Sequence, residues 1–174
     1  MKIVALIVED YPEKVCRSIR CMKCSRWLQD AEIILVDNCC TSPEVLKILK
    51  DAHAWATVVR PLHQLPDRYL GLFAISTIFG KFKSTARCAY ILETGVEIID
   101  KQFEMMKNAL DEVDDLAIAF LTPRSPKAIV VTRKCFVALS NLRYFESQPL
   151  PRDNHWETLA RSMQNVGLQV VTVT

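Results

Sequence analysis

Four short apolar runs, Lys2–Val8, Ala31–Val36, Ala54–Val59 and Cys88–Leu92, restrict this chain more than any other feature, because a segment of helical character separates each run from the next. Aliphatic and β-branched runs of this length read as strands buried on both faces. Strand–helix alternation of this kind directs right-handed crossovers and a mainly parallel sheet with helices on both sides. The helix signals agree. Pro12 stands in a first turn after Tyr11, and Val15, Cys16, Ile19 and Met22 form an apolar stripe. Ser42-Pro43-Glu44 places an N-cap before a first-turn proline, opening a helix to about Asp51. Leu62–Pro66 reads as a loop, and Asp67 as the cap of a helix from Arg68 to about Phe82.

The second half is less regular. Lys101–Val113 predicts a helix with Phe103, Met106, Leu110 and Val113 inward. Leu116–Leu121, Ala128–Thr132 and Leu168–Val173 read as strands, Phe136–Leu142 and Trp156–Asn165 as helices. Pro123–Lys127 reads as a turn, and Tyr144–Asn154, with two prolines, as a loop. The expected architecture is α/β: a single-domain three-layer α/β/α sandwich with a mainly parallel central sheet.

Composition removes several function classes. The chain has 174 residues, 50% hydrophobic and 24% charged, which suits one ordinary globular domain. A formal net charge of +2 gives no strong nucleic-acid signal. Four glycines cannot write a phosphate-cradling or dinucleotide-binding Gly-rich loop. No transmembrane segment is expected, because no apolar stretch approaches the roughly 20 residues a spanning helix needs. Met1-Lys2 leads directly into the first strand without a secretory pattern, so a reducing, cytoplasmic setting with mostly free thiols is expected for the seven cysteines. Cys21-Met-Lys-Cys24 lacks a second spaced pair, and Cys39-Cys40 are adjacent, so no zinc site is assigned.

The central run stops at Glu93-Thr94-Gly95. In an open α/β sheet the carboxyl ends of the strands face the ligand crevice, where a carboxylate can hold a cation or a polar substrate. Gly95 lets backbone or ligand approach closely. Asp37 ends the second run in Glu-Ile-Ile-Leu-Val-Asp-Asn, either as a turn-forming residue or as an acceptor at the same crevice.

With these residues in place the chain resembles the glycosyltransferase family 2 group and its GT-A, nucleotide-diphospho-sugar transferase fold. The resemblance runs through the first strand, helix and Glu32–Asn38, then Asp67-Arg68-Tyr69-Leu70-Gly71 and Tyr90-Ile91-Leu92, then His155-Trp156-Glu157-Thr158-Leu159-Ala160-Arg161 with Gly167 beyond. It implies a nucleotide-binding half of about 1–97 and an acceptor half of about 98–174. It also implies a donor set of Val8, Asp37, Arg68, Glu93 and Gly95. Arg68 suits phosphate oxygens through its guanidinium fork, or is a solvated first-turn residue.

Two departures from the family pattern stand out. Where the family carries Asp-x-Asp, which holds a divalent metal (Mg or Mn) and the donor, this chain has Glu93-Thr94-Gly95. Glu93 is therefore the expected metal ligand, in a site weakened by loss of one acid. Where the family uses a carboxylate as general base, counting back from Arg161 places His155. An imidazole of pKa about 6.5 can serve. Asp153 is the second candidate, or an N-cap for the last helix. The activity implied is inverting, metal-assisted transfer of a sugar from a nucleotide-diphospho-sugar to an unknown hydroxyl acceptor. The acceptor site would come from the Tyr144–Asn154 loop, from a partner subunit in a homo-oligomer, or be missing. The alternative is a catalytically degenerate GT-A-like module that binds a nucleotide or a protein. A nucleotidyltransferase would need a Gly-rich basic loop after the first strand, and Val8-Glu9-Asp10-Tyr11-Pro12-Glu13-Lys14 is not one.

Overall fold

The computed structural model describes residues 2–82, 84–97, 100–121, 128–143 and 155–173, with the side chains of Arg68 and His155 outside the described set. The element order is β1 (Lys2–Val8), α1 (Pro12–Cys24), β2 (Ala31–Asp37), α2 (Pro43–Ala52), β3 (Thr57–Val59), α3 (Asp67–Ile75) continued by a π-helical turn (Ser76–Lys81), and β4 (Cys88–Leu92). Then come α4 (Asp100–Glu112), β5 (Leu116–Phe120), β6 (Ala128–Thr132), α5 (Arg133–Asn141), α6 (His155–Asn165) and β7 (Gln169–Thr172).

Among the described residues, seven strands form one sheet in the order β3-β2-β1-β4-β6-β5-β7. The pairs β1–β2, β1–β4, β2–β3 and β5–β7 are parallel, whereas β6 runs antiparallel to both β4 and β5. The mainly parallel α/β/α sandwich is therefore present. Strand alternation makes its two cores. Ile3, Ala5, Ile7 and Ile91 face α3, α5 and α6, and Val4, Leu6, Val8 and Leu92 face α1, α2 and α4. In the second layer Trp27 stacks on Phe103 at 4.5 Å and meets Tyr90 edge-on at 4.8 Å. Such aromatic pairs each add about 0.5–1.5 kcal/mol beyond burial. Among the described residues no helix is long and apolar enough to cross a membrane.

Several expectations shift. On α1 the buried stripe is Val15, Ser18, Ile19 and Met22, while Cys16 is exposed. β3 begins at Thr57 rather than Ala54, because residues 53–56 close the preceding helix as a turn. Asp67 does not cap α3: Pro66 holds the N-cap position without a side-chain bond, and Asp67 lies inside the first turn, where its charge suits the helix dipole. α5 starts at Arg133, three residues before the expected Phe136, because the Thr132 hydroxyl accepts from the Cys135 N–H. The predicted turn at Pro123–Lys127 and loop at Tyr144–Asn154 lie outside the described residues.

Candidate functional site

Parallel register determines which residues meet at the carboxyl edge. Val8 pairs with Asp37, and Leu6 with Leu92, so the chain past β4 enters the edge beside the end of β1. Thr94 is the staple between them. Its hydroxyl donates to the Ile7 carbonyl at 2.6 Å and accepts the Glu9 N–H at 3.1 Å. Ser18, almost wholly buried, fixes the next residues. Its Oγ accepts the Gly95 N–H at 2.9 Å and donates to the Val96 carbonyl at 3.2 Å. Gly95 sits at φ +87°, a left-handed conformation that glycine adopts without strain.

Glu93 is half-buried, and its Oε1 accepts the Trp156 indole N–H at 3.4 Å. Trp156 belongs to the first turn of α6, and its ring packs against Gly71 of α3 so closely that a Cβ there would lie 2.3 Å from Cη2. One indole thus joins the start of α6, the helix containing Arg68, and the end of β4. The start of α3 also lies within electrostatic reach of the end of β1. Burial, and then the Asp67 charge, raise the Glu9 carboxyl above its ordinary value, while Lys14 opposes them.

At the β2 end the acid is already engaged. Asp37 is 3% exposed, its Oδ2 accepts from Arg60 Nε at 2.6 Å and Nη2 at 2.5 Å, and its Oδ1 accepts the Cys40 N–H at 2.9 Å. The adjacent Asn38 side chain bonds Leu65 in both directions, donating to its carbonyl at 3.0 Å and accepting its N–H at 2.9 Å. The Val8 side chain is buried in the core, and its carbonyl accepts the Asn38 N–H at 3.0 Å. Asp10 holds the approach to α2, accepting from Thr41 N, Thr41 Oγ1 and Ser42 N, and the Thr41 amide in particular holds its carboxyl below the usual range.

The structure therefore unites Glu93, Gly95 and the backbone of α3 and α6 around the end of β1, with Asp37 and Val8 in a bonded cluster beside them. The Arg68 and His155 side chains and the whole of Asp153 lie outside the described residues. Thr94, Ser18, Lys14 and Arg60 were not singled out from sequence. The bonded partners of Thr94, Ser18 and Arg60 lie 87, 77 and 23 residues away, so no local pattern marks them.

Among the described residues, Glu93-Thr94-Gly95 offers one carboxylate where Asp-x-Asp has two. A Cβ at Gly95, the second acid's position, would meet the Lys14 side chain: Cδ at 3.3 Å, Cβ and Cγ at 3.5 Å. Among the described residues no group of three or more His, Cys, Asp or Glu side chains is placed to hold a metal. A separate cavity of about 740 Å³ opens at the opposite, amino edge of β4, lined by Arg87, Val113, Leu116, Thr132, Val137 and Leu168 among others.

No family model matches the chain, and no curated protein matches it. Solved structures do. A mannosyltransferase from Pyrobaculum calidifontis, in complex with GDP-Man and Mn2+, superposes with TM-score 0.68 at 11% identity, over 98% of this chain and 53% of that one. Glucosyl-3-phosphoglycerate synthase from Mycobacterium tuberculosis, with Mn2+, UDP and phosphoglyceric acid, gives TM-score 0.68 at 12% identity, over 99% of this chain and 68% of that one. S. aureus TarS 1–349 gives TM-score 0.66 at 12% identity, over 95% and 56%. The fold is that of the GT-A glycosyltransferases, and the chain spans about half the length of the first of these neighbours.

Proposed function

We propose that the chain binds a nucleotide-diphospho-sugar at the carboxyl edge of β1, β2 and β4 and transfers its sugar to a hydroxyl acceptor with inversion. The observation that carries this reading is the Trp156–Glu93 contact. It puts the first turn of α6, one residue after His155 and three after Asp153, beside the acid that ends the central strand. A donor phosphate or ribose and an acceptor hydroxyl can then share one space, as displacement requires.

In this scheme His155 or Asp153 takes the proton from the acceptor hydroxyl, and the freed oxygen pair forms the bond to the anomeric carbon. The bond from that carbon to the diphosphate oxygen breaks, and the nucleoside diphosphate leaves with the electron pair. Arg68 binds the phosphates through its guanidinium fork, and Glu93 binds the donor's ribose or sugar hydroxyls. Asp37 and Val8 shape the base pocket through their partners, so the base meets the Arg60 guanidinium, whose side chain is 48% exposed.

The fold is shared with enzymes that handle GDP-Man and UDP. The alternative, nucleotide binding without transfer, is favoured by the missing second acid at Gly95. A thermal-shift screen of nucleoside diphosphates and their sugars, with and without Mn2+, tests both readings, because a ligand of the folded state raises Tm. Stabilisation by a nucleotide-sugar, lost in Glu93→Gln, supports the site. Slow release of free sugar and nucleoside diphosphate distinguishes transferase from binding module. Absence of any nucleotide effect contradicts both.

A further inference from the structure

We propose that Lys14 takes the charge-neutralising place of the absent second acid and its metal, so that this chain binds the diphosphate of its donor without a divalent cation. The inference rests on the nucleotide-sugar reading above and deepens it. Helix periodicity supplies the geometry. Ser18 clamps the Gly95 amide and the Val96 carbonyl to α1, and Lys14, one turn earlier at i−4, lies on the same face of the helix. Its aliphatic chain passes 3.3–3.5 Å from where a Gly95 Cβ would stand. An aspartate at 95 would press on this stem, which would have to give by a few tenths of an ångström, and would be strained at φ +87°. Glycine at 95 therefore suits both the backbone and the lysine at 14, whereas aspartate there would be strained in the backbone and crowd the lysine.

The ammonium is held near the crevice rather than swung away. Lys14 Nζ lies 4.4 Å from the centroid of the Tyr11 ring, just past the end of β1. Its charge reaches Glu9 at the same edge, where it acts against burial and Asp67. An ammonium carries three donors on a flexible stem and binds phosphate as a point charge. The edge thus exchanges a carboxylate that would recruit a dication for a covalently attached cation that needs no recruitment. The ligand class is a nucleoside diphosphate, free or as the leaving part of a nucleotide-sugar.

The test is titration calorimetry of the whole protein with UDP and GDP, once in excess chelator and once in Mn2+, for wild type, Lys14→Gln and Lys14→Arg. Lys14 is exposed, and equal melting temperatures for the three proteins confirm that folding is intact. The expected result is binding that persists in chelator, weakens about tenfold or more in Lys14→Gln, and is largely kept in Lys14→Arg. Wild-type binding that appears only with Mn2+ overturns this inference and leaves the nucleotide-sugar reading standing. So does chelator-resistant binding that Lys14→Gln does not change. No binding of either diphosphate under any condition overturns the underlying reading, and this inference with it.

Discussion

The ends of β2 and β4 lie two strands apart on the same edge, and each closes on an acid, yet the acids are held differently. Asp37 is buried, with both carboxylate oxygens bonded to Arg60 and the Cys40 amide. Around it Asn38 and Asp10 bond loop backbone. At β4 the bonds that fix the loop come from neutral hydroxyls, Thr94 to β1 and Ser18 to Gly95. Glu93 instead carries an indole contact from another helix. Position at the carboxyl edge therefore does not by itself decide how an acid is held. At β2 the carboxylate builds the wall, whereas at β4 hydroxyls do that work and the carboxylate accepts from an indole.

The largest expected break in this contrast is in stability. Asp37→Ala strips the partner from Arg60 and from a buried amide, and should cost about 3 kcal/mol, the low end for a broken buried pair because Arg60 is half exposed. For a domain of this size that is a Tm loss of roughly 6–12 °C. Glu93→Gln should stay within about 1 kcal/mol. Equal losses in thermal melts would erase the distinction between the two ends.

Next in size is Gly71→Ala. The new methyl meets the Trp156 ring at 2.3 Å, and overpacking of this kind costs about 1–3 kcal/mol. Because the indole also bonds Glu93, nucleotide-dependent stabilisation should fall as well. A variant with wild-type stability would show that α6 is not seated as described. Thr94→Val tests the hydroxyl staple. It removes the donor to Ile7 and strands the Glu9 amide, for about 1–2 kcal/mol, read by denaturant unfolding.

The smallest effect is electrostatic. Burial, then Asp67, raise the folded-state pKa of Glu9 above its ordinary value. A raised carboxyl contributes full stability below its unfolded value and loses it as pH rises through the folded value. Glu9→Gln should therefore raise stability slightly at neutral pH, by less than about 1 kcal/mol, with the gain vanishing below the carboxylate range. A gain that grows with acidity would contradict the assignment.

The order of strands and helices along the chain followed from sequence because apolar runs and caps are local signals. Ser42 and Pro43 start α2 as expected, and Phe103, Met106 and Leu110 line α4. What escaped was set by distant partners. Ser18 is polar, so its place in the buried stripe of α1 depends on the Gly95 amide 77 residues away, and Cys16 lies outside that stripe. Asp37 was legible as a strand-end acid, but Arg60 as its partner was not. The reversal of β6 has no periodic signature, since an antiparallel strand buried on both faces reads like a parallel one. Glu93 and Gly95 were visible at once, whereas the lysine beside them became visible only when α1 was laid against β4.

The most direct test of the nucleotide site is the indole N–H resonance of Trp156, followed by NMR during titration with a nucleotide-sugar. This resonance should move together with the amides of Glu9, Thr94 and Gly95, and should do so in the presence of chelator. Shifts confined to the opposite edge, at residues such as Arg87, Leu116 and Leu168, or no shifts at all, would contradict it.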